Sequence, residues 1–147
     1  MNIKLVEPIA ISIPLLKPIK MAGVELRSAD NVLVRIETED GVVGWGEAAS
    51  APSMTGETVE SMMAAVRYLE PYVKSAALED VCEILRRMDR ALYGNHAAKS
   101  AIEIGLHDAL GKAQGKPIFD LLGGQRRQRV PMLRMIASSD IDTDVAE

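Results

Sequence analysis

His107 and Asp108 stand side by side, and a histidine next to a carboxylate is a pairing that general acid–base chemistry uses. Adjacent residues on a helix point about 100° apart, so the two cannot face one substrate atom together. A structural role is expected instead, with Asp108 hydrogen-bonded or capping near a domain contact. His96 begins the same helix and reads as a neighbour of its cap. Asp140, Asp142 and Asp144 alternate as in a calcium loop, but no glycine and no closing glutamate follow, so they read as helix N-terminal charges. Gly44-x-Gly46-Glu47 is half of a dinucleotide fingerprint, set in a strand pattern rather than at a strand-to-helix turn. Glu37, Glu39 and Asp40 read as solvated hairpin residues. No phosphate loop, nucleophile elbow or HExxH occurs. What remains is apolar. Met21 and Met54 sit in two segments, Leu15–Glu25 and Ala48–Gly56, that are too hydrophobic for idle loops. They either pack on the protein's own core or form a lid over a hydrophobic substrate.

The elements that would position these residues follow from periodicity. Ile9, Ile11 and Ile13 alternate with Ala10 and Ser12, which predicts a strand over residues 3–14 with edge character at Pro8 and Pro14. A long loop follows. Val32, Val34 and Ile36 alternate with Leu33, Arg35 and Glu37 in a second strand; Asp40-Gly41 signals a hairpin into a third, VVGWGEA. Thr55 is a plausible cap for a helix bearing Val59, Met62, Met63, Val66 and Leu69 and closed by Pro71. Val81, Ile84, Leu85, Met88 and Leu92 mark a second helix. A third, long helix places Ala98, Ala101, Ile102, Gly105, Leu106 and Ala109 on one narrow face, with Lys99, Glu103, Asp108 and Lys112 elsewhere. Such a small-residue face docks closely on something large and flat. Gly115 stops that helix and Pro117 starts a short one ending at Gly123-Gly124. Strands first and helices second make an α+β unit: a three-stranded antiparallel meander followed by a helical bundle.

At 147 residues the chain suffices for one domain with a core, not two large ones. A formal net charge of −4 argues against nucleic acid or an anionic membrane as partner. One cysteine, Cys82, excludes an internal disulfide and fits a reducing, cytoplasmic compartment. Val130-PMLRMIAS reads as a buried strand with a new helix beginning behind it, the opening of a βα repeat. A chain ending there is expected to be part of something longer.

DGVVGWGEA, the run GNHAAKSAIEIGLHDALGKAQGKPIFDLLGG and the exit VPMLRMIAS together resemble the N-terminal part of the enolase superfamily, specifically its muconate-lactonizing subgroup. The resemblance spans nearly the whole chain. It implies a capping domain over residues 1–125, with residues 126–147 forming the linker and first strand of a (β/α)7β barrel, and a small-residue helix face near that junction. It makes the two apolar segments a lid, with Ile19, Lys20, Met21, Met54 and Thr55 as substrate-binding residues. Arg134 either points into the barrel, where it would receive a substrate carboxylate, or outward toward a helix. Ser138 lies at the strand's C-terminal end, where barrel active sites are built.

The family's chemistry, again by resemblance, abstracts a proton alpha to a carboxylate and stabilises the enediolate on Mg²⁺ or Mn²⁺. Its K-x-K base does not occur in this sequence, and its acidic metal ligands would lie on later strands. No catalytic residue and no metal ligand is therefore assigned here, and the chain by itself is expected to be inactive. The implied partners are a small-molecule carboxylate, the enzyme's own barrel and further copies in a homo-oligomer. Of the candidate reactions, muconate cycloisomerisation is the preferred reading, with N-acylamino acid racemisation, dipeptide epimerisation and o-succinylbenzoate synthesis as alternatives. A reading of another class is a non-catalytic capping or binding module.

Overall fold

A computed structural model describes residues 1–21, 24–74 and 76–132. Three strands, β1 (Ile3–Met21), β2 (Val24–Thr38) and β3 (Val43–Ala49), form an antiparallel sheet in the order β1-β2-β3. Among the described residues four α-helices follow: α1 (Val59–Lys74), α2 (Val81–Ala91), α3 (His96–Gln114) and the short α4 (Ile118–Leu121). The meander and the helical layer match the expected α+β arrangement. Among the described residues no helix is long and apolar enough to cross a membrane.

Alternation sets the sheet. Val32, Val34, Ile36 and Thr38 of β2 are buried against the helices, while Leu33, Arg35 and Glu37 lie on the other face. Thr38 closes the next turn: its carbonyl accepts from Gly41 N–H at 3.0 Å and its hydroxyl from Val42 N–H at 3.1 Å. Gly41 supplies the positive φ of 82° that the turn requires.

The helices cover one face of the sheet. α1 buries Met62, Ala65, Val66, Leu69 and Val73. It does not stop at Pro71 as expected but runs on to Lys74. Proline removes one hydrogen bond near the helix end, and the full burial of Val73 two residues on outweighs that loss. Its N-terminal residue pair is also not the expected one. Thr58 and Ser61 cap reciprocally, Ser61 N–H to Thr58 Oγ1 at 3.2 Å and Thr58 N–H to Ser61 Oγ at 2.9 Å, leaving Thr55 to the preceding loop.

α3 lays Ala98, Ala101, Ile102, Gly105, Leu106 and Ala109 on the sheet, each in the core or its wall. The flat body that its small residues meet is β3, where Gly44 and Gly46 face them. A Cβ at Gly46 would overlap the Ala101 carbonyl oxygen and lie 2.8 Å from Gly105 N. The large, flat partner that this face needs is thus the domain's own sheet. Gly115, at φ 62°, ends the helix as expected.

Lys99, assigned from its spacing to the polar side of α3, is buried. Its stem is enclosed between α2 and α3 and its Nζ donates to Asp89 Oδ1 at 2.8 Å. That hydrogen bond, then the lysine's charge, holds the Asp89 carboxyl below its usual pKa. A lowered folded-state pKa contributes stability at neutral pH that is lost as pH falls through it. Asp89→Asn is expected to lower the melting temperature at pH 7, with the difference from the parent chain closing below about pH 4. A difference independent of pH in paired melting curves would refute the linkage.

Candidate functional site

Beyond Pro14 the sequence predicts a loop, and the structure replaces it with more sheet. β1 and β2 continue to Met21 and Val24, with Ile19 paired to Leu26, Lys20 to Glu25 and Met21 to Val24. The register breaks between Pro14 and Ile19, where Leu15, Leu16, Lys17 and Pro18 stand opposite Arg27 alone. The distal ladder is therefore a hairpin set off from the main sheet by a bulge.

The second segment, after β3, closes on itself. Ala51 N–H donates to Glu57 O at 3.1 Å, and Thr55 N–H to Ala51 O at 2.8 Å. Thr55 Oγ1 also reaches Ala51 O at 3.2 Å and accepts from Glu57 N–H at 3.3 Å. At its far end the Glu57 carboxylate accepts from Ala97 N–H at 3.1 Å, satisfying one open donor in the first turn of α3.

Hairpin and loop meet across a cavity of about 310 Å³. Leu15, Ile19 and Leu26 line it from the hairpin, and Ala49, Ser50 and Pro52 from the end of β3 and the loop. Ser28, Asp30 and Asn31 supply its polar edge. An apolar wall with a few converging polar groups is the usual make-up of a small-molecule site.

Of the candidate residues, Ile19 lines this cavity. Lys20 is exposed on the distal ladder, and Met21 is placed by its pairing to Val24. Met54, 71% exposed, stands at the loop's outer side, and Thr55 spends its hydroxyl on holding the loop; neither lines the cavity. Arg134 and Ser138 lie outside the described residues, as do Asp140, Asp142 and Asp144. Residues 130–132 carry no strand. Leu15 and Pro52 fall within the two apolar segments but are not singled out by type, and Leu26 and Asn31 carry no signal of their own, because cross-strand register decides their position.

The histidine and carboxylates of the sequence motifs take structural places. Asp108 Oδ2 accepts from the Trp45 backbone N–H at 2.8 Å and from Lys112 Nζ at 2.7 Å, and Lys112 also reaches the Val43 carbonyl at 3.0 Å. This pair covers the outer edge of β3. His107 turns its Nδ1 to the Glu103 carbonyl at 3.0 Å. Glu37, expected to be solvated, is largely covered and pairs with Lys4 at 3.0 Å and with Arg35. Those two hydrogen bonds, the Lys4 one first, lower its pKa. Among the described residues no three His, Cys, Asp or Glu side chains are grouped to hold a metal ion.

A meander capped by helices, with a hairpin and a loop set over one cavity, defines an N-terminal domain of the enolase-superfamily type. Residues 6–123 match the model of the mandelate racemase / muconate lactonizing enzyme N-terminal domain, and the chain belongs to that family. Muconate cycloisomerase 1 of Acinetobacter baylyi is 37% identical over 98% of this chain and 40% of its own length. The L-Ala-D/L-Glu epimerase of Clostridium acetobutylicum is 39% identical over 80% of this chain and 33% of its own. A crystal structure of the Cytophaga hutchinsonii dipeptide epimerase, complexed with Mg and the dipeptide D-Ala-L-Val, superposes with a TM-score of 0.91 at 28% identity. It covers 99% of this chain and 40% of that one. The chain spans about two fifths of the length of the curated relatives it matches, or less.

Proposed function

We propose that these 147 residues are the substrate-facing N-terminal part of a metal-dependent isomerase that removes a proton alpha to a carboxylate. The observation that carries this reading is the apolar cavity between the distal hairpin and the loop after β3. Residues 1–125 would be the capping domain, and residues 126–147 would lead into a barrel that supplies base and metal. The metal would be Mg²⁺ or Mn²⁺. The described residues offer no ligand set for it, so this chain's share of the work is to bind substrate and keep water out. Lys20 and Met54 would reach the substrate only with the barrel in place, and Arg134 and Ser138 would line the barrel's mouth.

Within that class the reaction is read as muconate cycloisomerase-like, because that relative matches nearly the whole chain and Ile19, Leu15 and Leu26 suit a partly hydrophobic acid. A homo-oligomer in the cytoplasm belongs to the same reading. Exposed Ile118, Phe119 and Leu122 support the assembly, and the free Cys82 supports a reducing compartment.

The test is turnover by the full-length enzyme with Mg²⁺. Muconate is expected to be consumed, and Ile19→Ala to lower kcat/KM about tenfold or more. Turnover of dipeptides or N-acylamino acids instead would keep the class and move the substrate. A native mass of 15.9 kDa, with no activity on any of them, would favour the binding-module reading.

A further inference from the structure

We propose that Asp30 is a positioning residue that couples the distal hairpin to the loop after β3, so that the two walls of the cavity move as one. Asp30 lies opposite Ser12 in the β1–β2 register, two pairs before the bulge. Its carboxylate accepts from Ser12 Oγ at 2.5 Å and from Ser28 Oγ at 3.0 and 3.1 Å. One side chain therefore clamps both strands just before the register breaks. Its backbone carbonyl accepts from Ser50 N–H at 3.0 Å, and Ser50 is the first residue beyond β3. The loop it begins is tied within itself and anchored at its other end by Glu57, so it turns as a unit about two tethers, Asp30 and Ala97.

Packing does not duplicate this link. Asp30 and Ser50 line the cavity described above and also a second one, of about 400 Å³, bounded by Ser12, Thr58 and Glu60. Both residues therefore border open space in two hollows. Groups that lack close-packed neighbours hold their place by hydrogen bonds, and bonds to a charged acceptor are the stronger kind. A shift of the distal hairpin about its bulge then pulls Asp30, and through its carbonyl the loop.

The coupling can be read on the chain itself by hydrogen exchange. In Asp30→Ala, amides of the distal ladder and of Ala51, Met54 and Thr55 are expected to exchange roughly tenfold faster, the size expected for losing hydrogen bonds to a charge. Val34 and Ile36 amides in the main sheet should keep their rates. In a Ser50→Pro background, which lacks the tethering N–H, Asp30→Ala should accelerate the hairpin alone. Acceleration of the hairpin alone in the single variant would overturn the proposal. So would acceleration of the loop that persists with Ser50→Pro, or a uniform rise reaching Val34 and Ile36. Ser28→Ala, a milder loss of two of the contacts, should reproduce the paired acceleration in smaller measure, and its absence there also overturns it. The inference rests on the lid reading only for its consequence to substrate. Failed coupling with muconate turnover intact would leave the proposed function standing, and intact coupling without turnover would remove the function alone.

Discussion

Gly46→Ala is expected to destabilise the chain by about 3 kcal/mol or more, against a usual range of about 1–3 for added methylenes in a packed core. The new Cβ would overlap the Ala101 carbonyl oxygen and stand 2.8 Å from both Ala101 C and Gly105 N. Every one of these atoms is backbone of α3, so no side chain can turn aside. The helix itself must lift from β3. Replacing glycine also removes unfolded-state freedom, worth about 0.4–1 kcal/mol in the variant's favour, which is too little to offset the clash. Gly44→Ala should behave alike, since its Cβ would lie 2.6 Å from Ala109 N and 2.7 Å from Ala109 Cβ. Gly105→Ala is the control. Its Cβ would meet Ile36 Cδ1 at 3.1 Å and Cγ1 at 3.2 Å, which asks the buried Ile36 to give by a few tenths of an ångström instead of lifting the helix, and alanine gains about 1 kcal/mol of helix propensity against that cost. Its net effect should stay within about 1 kcal/mol. Urea melts followed by Trp45, the chain's one tryptophan, would show it. Equal midpoints for the Gly46 and Gly105 variants would mean that the close approach does not hold α3 in place.

How much of this was legible in the sequence depends on the distance over which each feature is decided. β2 announced itself, because Val32, Val34 and Ile36 alternate within one strand and its turn is written locally as Asp40-Gly41. The small face of α3 was equally plain, and so was its need for a flat partner. Which partner took it was not, since Gly44 and Gly46 lie some sixty residues earlier. The hairpin beyond Pro14 was missed for a related reason. Pro14, Pro18 and the bulge break the period on β1, and the pairing of Ile19 with Leu26 becomes visible only once β2 fixes the register. Burial of Lys99 needed Asp89 from another helix, and the role of Asp108 needed the edge of β3. Thr58 and Thr55 are both sound caps by type, and only the helix start at Val59 separates them. The candidate site shares this pattern. Its apolar character could be read from Ile19 and the methionines, while its walls are assembled by cross-strand and loop hydrogen bonds among residues far apart in the chain.

Leu106→Ala is expected to cost about 3–5 kcal/mol, in the upper part of the range for leucine truncations. Where a site can collapse, the loss falls toward the transfer term alone; where it cannot, a cavity term adds to it. The sheet-facing side of α3 offers little to collapse with. Apart from Ile102 and Leu106 its buried residues are Ala98, Ala101, Gly105 and Ala109 on that face, and β3 presents Gly44 and Gly46. None of these has atoms to swing into a vacated volume, and the backbones already touch, so they cannot approach further. Leu106 is wholly buried, and its removal leaves Ile102 as the one large aliphatic anchor of that face. Leu106→Met, which nearly conserves volume, should cost less than about 1.5 kcal/mol and so distinguishes lost packing from any local effect on the helix. Gly46→Ala should not rescue Leu106→Ala, because the methyl it adds is directed at Ala101 and Gly105 backbone rather than into the new space. Urea midpoints at unchanged m-value are the measurement. A loss below about 1 kcal/mol for Leu106→Ala would show that α1 or the sheet can repack after all, and that the face is less rigid than its glycines and alanines require.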